Sequence, residues 1–134
     1  LPLTKRAHSA LGIELRRDAI DDAEVAAALN QIRNTTFRSG PVERWLARCG
    51  RGELPAPDLV AVDPPRSGLE ATVVQELARL RPRRIAYVSC DVASLQRDLK
   101  ALAEAGYSTA AVTGVDMFPH TSHVESLACL QRAK

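Results

Sequence analysis

The stretch Asp58–Asp63, DLVAVD, limits the fold more than any other: four consecutive apolar residues without polar alternation, closed at each end by a carboxylate. A strand with one face in water alternates apolar and polar residues, whereas a short unbroken apolar run fits a strand covered on both faces of a parallel sheet. The covering helices should then flank it in sequence. Leu69, Val73, Leu77 and Leu80 follow at helical spacing, Arg84–Ser89 forms a second strand, and Val92, Leu95, Leu99 and Leu102 mark the next helix. Upstream, His8–Leu15 reads as a strand, and Asp18 opens a helix with Ile20, Ala23 and Ala27 on one face. A short strand at Thr35–Arg38 and a helix around Pro41–Ala47 precede the Gly- and Pro-rich loop Gly50–Pro57.

The last two strands, Ser108–Met117 and Val124–Arg132, are joined by about six residues, half of what a parallel crossover needs, so they should pair antiparallel. The fold class expected is α/β: a doubly wound, Rossmann-like sheet with one reversed strand near the carboxyl terminus, in a single domain over residues 1–134. A 46% hydrophobic content suits such a core, and a net charge of +2 gives no bulk electrostatic case for nucleic-acid binding. Fifteen of the eighteen cations are arginine, whose planar fork suits phosphate oxygens. Cys49, Cys90 and Cys129 are odd in number and lack a C-x-x-C pair, which argues against a disulfide framework or a zinc site and for a reducing cytoplasm. No apolar run approaches the roughly 20 residues of a membrane span.

Ligands of open α/β sheets bind at the carboxyl ends of the parallel strands. There the sequence sets Glu14, Asp63-Pro64-Pro65-Arg66 and Ser89-Cys90-Asp91, with His120 to Glu125 in the connection of the last hairpin. Each has a plainer reading: Cys90 as a small hydrophobe, Asp91 as a helix cap, Glu14 as an exposed strand-end charge, His120 and His123 as solvated loop residues. Cys49 and Cys129 are assigned to packing.

Together, DPPRSGL at Asp63–Leu69, SCDVASLQRDL at Ser89–Leu99 and DMFPHTSHVESL at Asp116–Leu127 resemble the RNA (uracil-5-)-methyltransferases, which make 5-methyluridine in transfer and ribosomal RNA with S-adenosylmethionine. The resemblance implies Cys90 as nucleophile and Glu125 as base, Glu14 at the methyl donor, Asp63 where donor and target base meet, and Arg66 and His123 on the RNA substrate, Arg66 orienting the base or holding a phosphate. It implies a tRNA or rRNA partner and no metal in this segment. It also implies that the first strand and its glycine-rich turn lie upstream of Leu1, making this chain the carboxyl-terminal part of the catalytic domain. Three other readings stand beside it. An amino-group methyltransferase would need no cysteine and carries an aromatic residue where Arg66 stands; the others are a non-catalytic RNA- or protein-binding domain and a cysteine hydrolase pairing Cys90 with His120 or His123.

Overall fold

A computed structural model of the chain describes residues 2–117, 120 and 124–133. Its contacts divide into two units, Leu1–Trp45 and Leu46–Lys134. In the first, a 3-10 turn at Pro2–Arg6 leads to strand β1 (Ala10–Glu14), helix α1 (Arg17–Leu29) and strand β2 (Thr35–Ser39). The two strands pair in parallel from Ala10↔Thr35 to Glu14↔Ser39, with α1 as the crossover. Ile20 and Ala27 form the buried stripe of α1, seven residues apart and therefore on one face. Gly12 lies against the Phe37 ring, which would have to shift to admit a Cβ there, at 2.6 Å from it.

Helix α2 (Val42–Gly50) is followed by strand β3 (Leu59–Val62), helix α3 (Ala71–Leu80), strand β4 (Arg84–Ser89), helix α4 (Val92–Glu104) and strands β5 (Tyr107–Val115) and β6 (Glu125–Arg132). The second unit's sheet has the order β3-β4-β6-β5. β3 and β4 are parallel, and β6 runs antiparallel to both β4 and β5, so β6 is the reversed strand that the short hairpin connection predicts. α3 ends at Arg81 in the left-handed conformation, its N–H bonded to Leu77 O, and Pro82 then blocks continuation. The buried Tyr107 hydroxyl donates to Pro82 O at 3.0 Å, fastening the start of β5 to that connection.

At the start of α4, Asp91 is the N-cap, its carboxylate accepting from Ser94 N at 2.7 Å. Bonds from the Ser94 backbone and side chain, with the Arg66 charge adding to them, hold the Asp91 carboxyl below the usual carboxylate range.

Three expectations about packing are corrected. β3 is not covered on both faces: Leu59 and Ala61 are exposed. The face that buries Ile85, Tyr87, Ala128 and Leu130 is the one packed by helices, while Leu59, Leu127 and Cys129 occupy the other, open face. Cys129 is for that reason a surface thiol and not a packing residue, unlike Cys49, which is buried in α2. On α4 the buried stripe is Ser94, Leu95, Asp98 and Leu102, and Val92 is exposed in the first turn. The hydrogen-bonded pairings are β1 with β2 in the first unit and β3-β4-β6-β5 in the second.

Leu77, fully buried in α3, should cost about 3 kcal/mol when replaced by alanine, whereas Leu29→Ala, at an exposed site, should cost under about 0.5 kcal/mol in urea unfolding. The Asp91 carboxyl is lowered in the folded state, so its stabilisation is present above the unfolded carboxylate range and is lost as pH falls through the lowered value. Asp91→Ala should therefore be less stable than the parent at neutral pH, with a deficit that shrinks below about pH 4. An undiminished deficit in acid would contradict that origin.

Candidate active site

Cys90 lies between the last residue of β4 and the cap of α4, half-buried, in a bend whose geometry is held from both sides. The Ser89 hydroxyl donates to Asp91 O at 2.8 Å and accepts from Asp91 N at 3.1 Å. Both bonds span Cys90, fixing the backbone that carries the thiol. The buried Ser89 thus forms a clasp where a strand becomes a helix.

The antiparallel register brings an acid to the same place. β4 and β6 pair Val88↔Leu127 and then Ser89↔Ser126, so one further step along each strand reaches Cys90 on one side and Glu125 on the other. Neighbouring strands are about 4.8 Å apart, so these residues stand at adjacent positions on one edge of the sheet. Glu125 is also paired with Val115, the last residue of β5, and is half-buried.

Asp63 leaves β3 at the same edge, exposed, one residue after Val62↔Tyr87. The chain then makes a turn closed by Gly68 N to Pro65 O at 2.8 Å, with Arg66 exposed in it. The Arg66 charge is a lesser influence favouring the Asp91 carboxylate, after the bonds from Ser94. Cys90, Glu125, Asp63 and Arg66 are therefore collected by the ends of three strands.

A second group lies within the Ser89–Leu99 motif, where sequence reasoning gave Arg97 and Asp98 no role. Asp98 is only 2% exposed. Its Oδ2 accepts from Leu69 N at 2.7 Å and from the Tyr87 hydroxyl at 2.6 Å, and its Oδ1 from Arg97 Nε at 2.9 Å and Nη2 at 2.7 Å. Arg97 Nη2 also donates to Ser67 O at 2.6 Å. Gly68, at φ +80°, passes so near that a Cβ would collide with Arg97 and Asp98. Burial, and then the bond to Asp98, push the Tyr87 phenol up, so it remains a protonated donor. The trace in sequence is a carboxylate at i+3 from Leu95 and i−4 from Leu102, within a buried helix stripe.

Glu14 closes β1 in the first unit. Its Oε1 accepts from Arg16 N at 2.9 Å and its carbonyl accepts from Gly40 N, which orients an exposed carboxylate at the carboxyl end of the strand. His123 lies outside the described residues. His120 is exposed with φ +68°. Among the described residues no three His, Cys, Asp or Glu side chains cluster as metal ligands, and no helix is long and apolar enough to cross a membrane. A cavity of about 200 Å³ is lined by Arg83, Arg84, Gln131 and Arg132. It stands at the other end of β4, roughly 20 Å from Cys90 at about 3.3 Å per residue, and lacks a nucleophile.

Comparison with known proteins bears on family and fold. The family model for tRNA (uracil-5-)-methyltransferase matches residues 56–133, more than half of the chain. An RNA methyltransferase of Enterococcus faecalis is 44% identical over 133 residues, covering 99% of this chain and 29% of that protein. Another from Staphylococcus aureus is 45% identical over 127 residues, 95% of this chain and 27% of that protein. The chain thus spans under a third of the length of these relatives. The crystal structure of Pyrococcus abyssi tRNA (uracil-54, C5)-methyltransferase, in complex with S-adenosyl-L-homocysteine, superposes with a TM-score of 0.79 at 34% identity, over 96% of this chain and 30% of that one. An rRNA methylase from Streptococcus thermophilus, 11% identical with a TM-score of 0.71 over 98% of this chain and 78% of that one, shares the α/β methyltransferase fold. With the thiol at the exit of β4, the acid at the entry of β6 and the matched span enclosing both, the chain belongs to the tRNA (uracil-5-)-methyltransferase family.

Proposed function

We propose that the protein containing this chain methylates carbon 5 of a uridine in tRNA or rRNA, with Cys90 as nucleophile and Glu125 as general base. The observation that carries this reading is the β4–β6 register, which sets a clasped thiol and an acid at adjacent positions of one edge. Carbon 5 of uracil is a poor nucleophile until carbon 6 has accepted an electron pair. The Cys90 thiolate adds to carbon 6, and the ring electrons move onto the carbonyl as an enolate. When bound, S-adenosylmethionine supplies an electrophilic methyl on a sulfonium sulfur. That methyl would pass to carbon 5, its bond to sulfur breaking as the new carbon–carbon bond forms. Glu125 then takes the proton from carbon 5, and the returning electron pair expels the Cys90 thiolate from carbon 6.

Each unit offers a carboxylate of suitable chemistry for that donor: in the first, Glu14, exposed and fixed at the end of β1, suits the paired hydroxyls of a ribose, and in the second, Asp63, exposed after β3, is assigned to the donor side. Arg66 would hold the base or a neighbouring phosphate with its planar fork, and His123 is assigned to the same substrate side. A stacked base offers neither face of its 5–6 bond to a thiolate, so the target must be flipped out or unpaired. The names of the RNA methyltransferase relatives and the ligand of the Pyrococcus abyssi enzyme support both substrate and donor.

In the full-length protein, Cys90→Ala should abolish methyl transfer. Glu125→Gln should still permit addition and methylation but accumulate a covalent enzyme–RNA adduct, because only proton removal is blocked. Transfer of label from the methyl donor to RNA, with denaturing electrophoresis for the adduct, separates these outcomes. Normal turnover by Glu125→Gln would remove Glu125 as base.

A further inference from the structure

Cys90 is the joint between β4 and α4, and a joint is only as well placed as the elements on either side of it. Those elements meet again at Asp98. Tyr87, three residues before Cys90 on β4, donates to it; Asp98 itself sits in α4, seven residues or about 10 Å along the helix from the cap. The loop that carries Arg66 arrives at the same carboxylate through Leu69 N, and at its neighbour Arg97 through Ser67 O. Strand, helix and loop are thereby bound to one buried group, with four bonds on its two oxygens.

We infer that Asp98, with Tyr87 and Arg97, is a positioning device for the reaction: it fixes the angle between β4 and α4, and so where the Cys90 thiol points, and fixes the Arg66 turn against the same frame. This deepens the proposed uracil methylation and rests on it for its chemistry, while its geometry is independent of RNA and methyl donor. Gly68 belongs to the device because only a residue without Cβ lets the turn pass that close to Asp98 and Arg97 at φ +80°.

The test uses the full-length protein. Tyr87→Phe removes one donor and keeps the ring in the core; Asp98→Asn keeps the shape but turns one acceptor into a donor among donors; Asp98→Glu keeps charge and acceptors one methylene further out. Misplacement of about 1 Å at a reacting group costs up to roughly a hundredfold, so kcat should fall about tenfold in Tyr87→Phe and about a hundredfold in Asp98→Asn, with KM for RNA within about twofold. Asp98→Glu should not restore kcat. Independently, the iodoacetamide alkylation rate of Cys90, referred to the surface thiol Cys129 by peptide mass spectrometry, should change at least about threefold in Tyr87→Phe. An unchanged alkylation ratio in a Tyr87→Phe protein that has merely lost thermal stability would overturn the inference, as would a shifted ratio with undiminished kcat. A parent protein that never methylates uracil refutes the proposed reaction and leaves the alkylation ratio to decide the geometry. If Asp98→Asn fails to fold, Tyr87→Phe alone carries the decision.

Discussion

A carboxylate taken out of water is costly unless its lone pairs are engaged, and a half-satisfied one is worse than none. Asp98 meets that requirement with a backbone amide, a phenol and both reachable nitrogens of a guanidinium. The demand runs in the other direction too. Leu69 must bring its N–H to a fixed point, Gly68 must lack a side chain, and Tyr87 must face the helical side of the sheet. One buried charge thereby dictates the path of the turn after β3 and the packing of α4 on β4. The ion pair with Arg97 is half in solvent, since the guanidinium is 59% exposed while Asp98 is 3%, so its contribution is geometric more than coulombic.

Above that frame, the pairing of β6 against β4 decides which residues share an edge. A one-residue slip would carry Leu127 and Cys129 into the buried face and move Ala128 and Leu130 out of it, a change the apolar pattern forbids. Packing deep in the sheet therefore fixes, at no further cost, the position of Glu125 relative to the end of β4. The Ser89 hydroxyl and the Asp91 cap complete the arrangement by converting a strand end into a helix start within two residues. The groups proposed for the chemistry thus sit where regular structure stops, on short segments between regular elements.

Much of this was legible in the sequence, and the parts that were not share a cause. β4 runs over Arg84–Ser89 as its apolar run indicates, and the hairpin is antiparallel because its connection is too short for a crossover. The edge positions of Asp63, Cys90 and Glu125 follow from those strand ends. What periodicity could not supply was which face of each element finds a partner. Leu59 and Cys129 look like core residues by composition, but β3 ends the sheet and one sheet face is open, so they meet solvent. Val92 fits a helical stripe yet is the first residue of α4 and is exposed. Asp98 was invisible as a junction because its partners arrive from 11 and 29 residues away, a coincidence that only the folded chain creates.

The most direct measurement is covalent capture on RNA bearing 5-fluorouridine at the modified position. Thiolate addition at carbon 6 and methyl transfer can proceed on that base, but fluorine cannot leave carbon 5 as a cation, so elimination has no route. With full-length protein, fluorinated RNA and S-adenosylmethionine, a complex stable to denaturing electrophoresis should form, and peptide mass spectrometry should place the nucleotide on Cys90. A label on Cys49 or Cys129, or no stable complex from protein that methylates the ordinary RNA, would contradict the assignment of the thiol at the exit of β4 as the nucleophile.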